Sequence, residues 1–253
     1  MRRDFFLKES FSMEGLNLIA CYCFPPNLKK YCGPESPERI FKFMTGEFTN
    51  EPNVKNAFLR FEVMYPYLQL IAKANNKSAF DFEVAQAYWE GNELLENVSL
   101  NDWKETAAEI GKSSKWPEKI IEKYAERISE SFLPHHSFHV LNSFTLTIKE
   151  PEVMLERINN CLISWGRVLN AGEKELIVEK KPVVLEPGGT FNFGQATVES
   201  VQNTAFGSSK RIVECVKGDW VSMHWGFACR KLEIEELENL EKFTCLNFEN
   251  FKL

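Results

Sequence analysis

Through the first half of the chain, apolar residues recur mostly at spacings of three and four, the period of a helix with one buried face. Phe5, Phe6, Phe11, Leu16, Leu18 and Ile19 lead into a break at Cys23-Phe24-Pro25-Pro26-Asn27, and Tyr31-Cys32-Gly33-Pro34 continues that loop. A helix is predicted from Pro37 or Glu38 through Ile40, Phe41 and Phe43 to Gly46, because proline suits a first helical position and glycine a stop. Asn53 to Lys73 reads as a longer helix that Pro66 kinks or breaks. Asp81 to Leu95 follows, then a helix capped near Ser99 and another from Pro117 to Ile128.

After Pro134 the period changes. Phe138, Val140, Asn142, Phe144, Leu146 and Ile148 alternate with Ser137, His139, Ser143, Thr145 and Thr147, which predicts a strand. A short helix from Glu150 to Asn159 connects to a strand-rich remainder. Strands are expected at 162–169, 175–184, 196–201, 211–216 and 220–229, with turns at Asn170-Ala171-Gly172 and Pro187-Gly188-Gly189. Turn residues at such short intervals indicate a small barrel or sandwich. A Glu-rich amphipathic helix from Leu232 to Phe243 closes the pattern. The fold class expected is α+β: a mainly helical domain over 1–150, then a small β-barrel over 151–253 with a C-terminal helix.

Composition narrows the function classes. The 253 residues carry Lys plus Arg 30 against Asp plus Glu 36, a net charge of -6. No broad basic surface is available to offset phosphate repulsion, so nucleic acid is not an expected partner. No stretch approaches the ~18 apolar residues of a membrane span. The first residues lack the apolar run of a signal peptide, so a cytoplasmic, reducing setting with unpaired thiols is expected. No Walker A, GxGxxG, GxSxG, HExxH or CxxC spacing occurs.

Seven Cys stand beside only four His. The C-terminal part opens Cys161-Leu162-Ile163-Ser164-Trp165-Gly166-Arg167-Val168 and ends Gly218-Asp219-Trp220-Val221-Ser222-Met223-His224-Trp225-Gly226-Phe227-Ala228. Glu235 and Glu236 then open the last helix. Over roughly residues 160–243 this resembles the HypC family, small OB-like β-barrel chaperones of nickel–iron hydrogenase maturation. Members open Met-Cys-Leu, continue to Gly-Lys-Val and a turn, and end with Gly-Asp, an aromatic, Val, a His, Gly-Phe-Ala and a Glu-rich helix. The resemblance implies that Cys161 and His224 hold an iron carrying cyanide and carbonyl ligands. The implied partner is the hydrogenase large subunit or another maturation protein. Two departures stand out: Cys161 is internal rather than at the chain start, and Trp165 replaces the family's usual proline.

Read from the residues alone, strand alternation puts Val221, Met223, Trp225 and Phe227 on one face and Trp220, Ser222, His224 and Gly226 on the other. His224 thus stands beside small residues. A thiolate with an imidazole suits iron, and a nearby cation such as Arg167 would favour the thiolate.

Three of the four histidines crowd into Pro134-His135-His136-Ser137-Phe138-His139. In a helix, His135 and His139 pair at i, i+4 and His136 with His139 at i, i+3. In a strand, His135 and His139 share a face and His136 points away. Either arrangement offers a two-His metal site or a general acid–base group. Cys21-x-Cys23 with Cys32 lacks zinc spacing, but Tyr22, Cys23, Asn27 and Cys32 of the Pro-rich loop are candidates for lining a binding pocket. The whole chain also resembles an uncharacterised prokaryotic family with the Pro-His-His-Ser-Phe-His-Val motif. The leading expectation is a hydrogenase-maturation accessory protein with iron at Cys161 and His224. The alternative is a metal-dependent enzyme built on His135, His136 and His139, with the barrel as docking module.

Overall fold

A computed structural model of the protein describes the backbone at residues 2–47 and 51–253, with side chains at 13–47 and 52–253. Phe5, Phe6 and Phe11 of the opening apolar pattern lie outside the described side chains. The chain divides into two compact units, 1–128 and 129–253. The His cluster and the connector helix therefore stand with the strand-rich unit.

Unit 1 is helical: α1 (Arg2–Leu28), α2 (Pro37–Met44), α3 (Glu51–Phe58), α4 (Met64–Ala74), α5 (Phe82–Trp89), a 3-10 turn (Glu93–Asn97), α6 (Leu100–Ser113) and α7 (Glu118–Glu126). The break expected at Pro25-Pro26 does not occur there, because α1 runs on to Leu28. Both prolines lie in the last turn and are buried beside Tyr22, Cys23 and Phe24. Their carbonyls still accept the backbone N–H groups of Lys29 and Tyr31. What proline removes is a donor, and burial of this face outweighs the lost bonds. Pro66 separates α3 from α4 by sitting in the first turn of α4, where backbone N–H groups lack intrahelical partners in any case. Ser99 caps α6 as expected, its hydroxyl accepting from the N–H of Asp102. The core of the unit is aromatic, with Tyr22, Phe24, Phe58, Phe61, Tyr67, Tyr88, Trp103 and Tyr124 almost completely buried.

In unit 2, α8 (His136–Thr147) and α9 (Pro151–Cys161) precede β1 (Ser164–Ala171), β2 (Glu175–Lys180), β3 (Val183–Leu185), β4 (Phe191–Phe193), β5 (Thr197–Gln202), β6 (Trp220–His224) and β7 (Phe227–Leu232). The last helix, α10 (Ile234–Glu249), begins with a capping box between Glu233 and Glu236. The strand expected over 138–148 is thus a helix. Thr145 and Thr147, which imitate a strand's polar face, instead return hydrogen bonds to their own helix, to Leu141 O and Ser143 O at 2.6 Å each, and Asn142 from the expected apolar face does the same to Phe138 O at 3.0 Å.

Five strands close a barrel in the order β1-β2-β5-β7-β6, with β6 returning to β1. Neighbours are antiparallel except β5 and β7, which run parallel. Val168, Leu176, Val178, Val201, Val221, Met223 and Ala228 form the buried interior. The segment at 211–216 is not a strand. The Asn203 side-chain amide holds it instead, accepting from Val213 N at 2.8 Å and donating to Val213 O at 2.9 Å.

A second core lies outside the barrel, where α8, α9 and α10 meet the β3–β4 hairpin through Leu141, Ile158, Phe191, Phe248 and Phe251. The Gly188-Gly189 turn of that hairpin matches the sequence expectation. Asn159 of α9 clamps β3, donating to Val183 O at 2.9 Å and accepting from Val183 N at 2.8 Å. Among the described residues, no helix is long and apolar enough to cross a membrane.

Candidate metal centre

Three element ends of unit 2 converge. His136 is the first residue of α8, Cys161 the last of α9, and His224 the last of β6. One donor atom from each, a ring nitrogen or the thiol sulfur, lies within 4.8 Å of the other two. The His136 and His224 rings meet edge to face, with centroids 5.6 Å apart at 82°. Ligands of a single tetrahedral ion at about 2.0–2.3 Å stand roughly 3.3–3.8 Å apart, so donors within 4.8 Å of one another lie near the spacing that one metal needs.

Local structure places each donor. Val221 and Met223 of β6 point into the barrel, which turns His224 to the outer wall, where it is only 2% exposed. His224 pairs with Phe227 across a two-residue turn whose residues, Trp225 (φ 51) and Gly226 (φ 78), are both left-handed. That is the hairpin turn whose twist suits paired strands. The Trp225 N–H donates to Asn160 O at 2.8 Å, tying the hairpin tip to the end of α9 beside Cys161.

His136 is set by its backbone partner. Its Nε2 lies 2.9 Å from the carbonyl oxygen of Cys161. A carbonyl only accepts, so Nε2 carries the proton and the lone pair falls on Nδ1. A carbonyl holding the second ring nitrogen is the usual support for a metal-binding imidazole. Burial pushes the pKa of His136 down to about 4, against the opposing effect of the Cys161 carbonyl. The ring is therefore neutral at pH 7, the state that binds metal. Two imidazoles and a thiol form a donor set suited to zinc, iron or copper.

Residues 11–252 match the model of DUF6390, a family of unknown function. The chain belongs to this family. No curated protein and no solved structure matches it. The DUF6390 match spans both units.

The remaining candidates lie elsewhere. His135 is the N-cap of α8: its Nδ1 accepts from the Ser137 N–H at 3.3 Å and lies 2.8 Å from Ser137 Oγ. Asn247 of α10 donates to the same Ser137 hydroxyl at 2.8 Å. His139, pushed down to about 3 by burial and by neighbouring His136, is not part of the three-donor group. Of the three clustered histidines, His136 thus joins the donor group with Cys161 and His224, and His135 caps α8. Arg167 is exposed on β1.

Tyr22, Cys23, Asn27 and Cys32 all belong to unit 1. Tyr22 donates to the buried Glu90 carboxylate at 2.7 Å and stacks on Trp89 at 5.3 Å. The Asn27 side chain donates to the carbonyls of Cys32 and Pro34, which shapes the loop. Desolvation, with the Glu62 carboxylate adding to it, pushes the Cys32 thiol up to about 12, so it is no thiolate at neutral pH. Sequence reasoning kept His136 apart from Cys161 and His224. No spacing signal joins them, since the three come from separate elements that only tertiary packing brings together.

Proposed function

We propose that this chain carries a metal ion at His136, Cys161 and His224, and that its cargo is the iron fragment with cyanide and carbonyl ligands handled in nickel–iron hydrogenase maturation. The carrying observation is the convergence of the three donors within 4.8 Å. The HypC-like segments 161–168 and 218–228 supply two of them, and α8, outside the resemblance, supplies the third. The barrel order, with its one parallel pair between β5 and β7, supports an OB-like reading of the strand unit. The expected partner is a hydrogenase large subunit or another maturation protein.

As a carrier, the site works through ordinary ligand chemistry. Metal binding removes the Cys161 proton and leaves both imidazoles neutral. Three protein donors leave room for ligands that travel with the metal. The same vacancy favours one second reading, a metal-dependent enzyme that binds water or substrate there.

Anaerobic purification from a hydrogenase-expressing host, with metal analysis and infrared spectroscopy, tests the proposal. Iron together with cyanide and carbonyl bands, both lost in Cys161→Ala, is the expected result. Metal without those bands favours the enzyme reading. A metal-free and band-free protein overturns both.

A further inference from the structure

The donor group comes from the ends of α8, α9 and β6, but a fourth element grips the chain on both sides of His136. Asn247 of α10 is fully buried. Its Oδ1 accepts the Leu133 N–H at 3.3 Å, and its Nδ2 donates to the Ser137 hydroxyl at 2.8 Å, with a longer bond to Leu133 O at 3.5 Å. A backbone N–H only donates, so the amide oxygen faces Leu133 N and the amide nitrogen faces Ser137. The remaining bond directions follow. Ser137 Oγ accepts from Asn247 and gives its own proton to His135 Nδ1 at 2.8 Å, a nitrogen that also accepts the Ser137 N–H.

A buried amide is costly unless its bonds are made, and asparagine is a poor residue for a helix interior. Phe248 and Phe251 already pack this end of the chain into the outer core. What Asn247 adds is a fixed spacing between α10 and the residues that bracket His136. That spacing matters because His136 is the first residue of α8. First-turn residues have no intrahelical bond on their N–H groups, so the cap and outside contacts set their position. The cap here is His135, and its ring is held by the same Ser137 hydroxyl that Asn247 holds. With Nε2 of His136 directed at the Cys161 carbonyl, fixing the backbone on either side fixes the direction of Nδ1.

We infer that Asn247 is a positioning residue of the metal centre, which acts through Ser137 to aim the His136 imidazole while supplying no ligand itself. This rests on the metal reading above. The test uses the full chain with cobalt(II) as a visible probe, its affinity read by chelator competition and its donor geometry by the ligand-field bands. Asn247→Leu removes the clamp, and Ser137→Ala cuts the same link while leaving Asn247 on Leu133. Each should weaken cobalt by about tenfold, the lower end of the loss on removing an outer partner of a metal ligand, and should shift the bands. Stability alone would not move those bands below the melting temperature, which thermal melts establish for each variant. The double variant should bind no more weakly than Asn247→Leu, because both changes break one connection. If Asn247→Leu does not fold, Ser137→Ala decides by the same two readouts. Wild-type affinity and bands in the folded variants overturn the inference and leave the metal reading standing, as do losses that simply add in the double variant. Absence of any cobalt band in wild type overturns both.

Discussion

His136 Nε2 donates to the carbonyl oxygen of Cys161 across 2.9 Å, which joins the first turn of α8 to the last residue of α9. One candidate ligand thus orients another's backbone, and neither residue can move without disturbing its neighbour. His136→Ala removes the third donor and this link together. Loss of an outer partner of a metal ligand costs about 10–100-fold in affinity, so loss of a donor should cost at least that. Competition against a chromophoric chelator with cobalt(II) or zinc(II) measures it. Equal affinity in wild type and His136→Ala removes His136 from the site.

The same buried ring makes an acid prediction. The unfolded-state pKa of histidine is about 6.5, and the folded His136 value is about 4. Between those values the unfolded chain binds a proton that the folded one does not, so stability falls as pH drops from 6.5 toward 4. The slope from one such group approaches about 1.4 kcal/mol per pH unit, and His139, also lowered, adds in the same direction. Carboxylates titrate over part of this range, so the test is a difference. Urea unfolding of metal-free wild type and of His136→Gln should show a shallower pH dependence in the variant. Parallel curves would mean that the ring is protonated at little cost.

How far the sequence shows this architecture varies with the range of the forces involved. The Ser99 cap and the Gly188-Gly189 turn are local, and their residues announce them. The helix α8 is hidden, because Ser143, Thr145 and Thr147 at alternate positions look like a solvated strand face until their bonds to the helix backbone are seen. The continuation of α1 through Pro25-Pro26 is hidden for another reason, since tertiary burial overrides a local breaker. At the candidate site, Cys161 and His224 are conspicuous through motifs at both ends of the strand region. His136 is not, because its place beside them follows from how α8 packs against α9. Next to it in sequence, His135 serves as a cap. No pattern short of the fold separates those two adjacent histidines.

Unit 1 gives a prediction independent of the metal. Tyr22 donates to Glu90, which has no exposure to solvent. Tyr22→Phe keeps the ring on Trp89 and takes one donor from a buried carboxylate. The cost should be about 1–3 kcal/mol, the range for stripping a partner from a buried polar group. Chemical denaturation of the full chain reads it as a lower midpoint for the helical unit. A neutral effect would show that Glu90 does not depend on this bond. Gly15 in the same unit provides a second check. A methyl group there would run into the carbonyl oxygen of Phe80, so Gly15→Ala should be destabilising as well.

The hairpin tip that presents His224 connects backbone strain to ligand position. Gly226 has φ 78, a left-handed conformation that costs a residue with a Cβ about 1–2 kcal/mol. A Cβ placed there meets nothing within 4 Å, so no clash contributes and the penalty comes from the backbone alone. Gly226→Ala should therefore destabilise unit 2 by about 1 kcal/mol, and Gly226→Asn by less, since asparagine tolerates this region. Any relief of the strain has to turn the Trp225-Gly226 peptide. That turn is held on both sides, by the Trp225 N–H on Asn160 O and by Gln202 N–H on Gly226 O. Metal affinity should accordingly fall in the order wild type, Gly226→Asn, Gly226→Ala, in step with thermal stability. If stability falls while affinity stays constant, the turn supports the barrel but does not position His224.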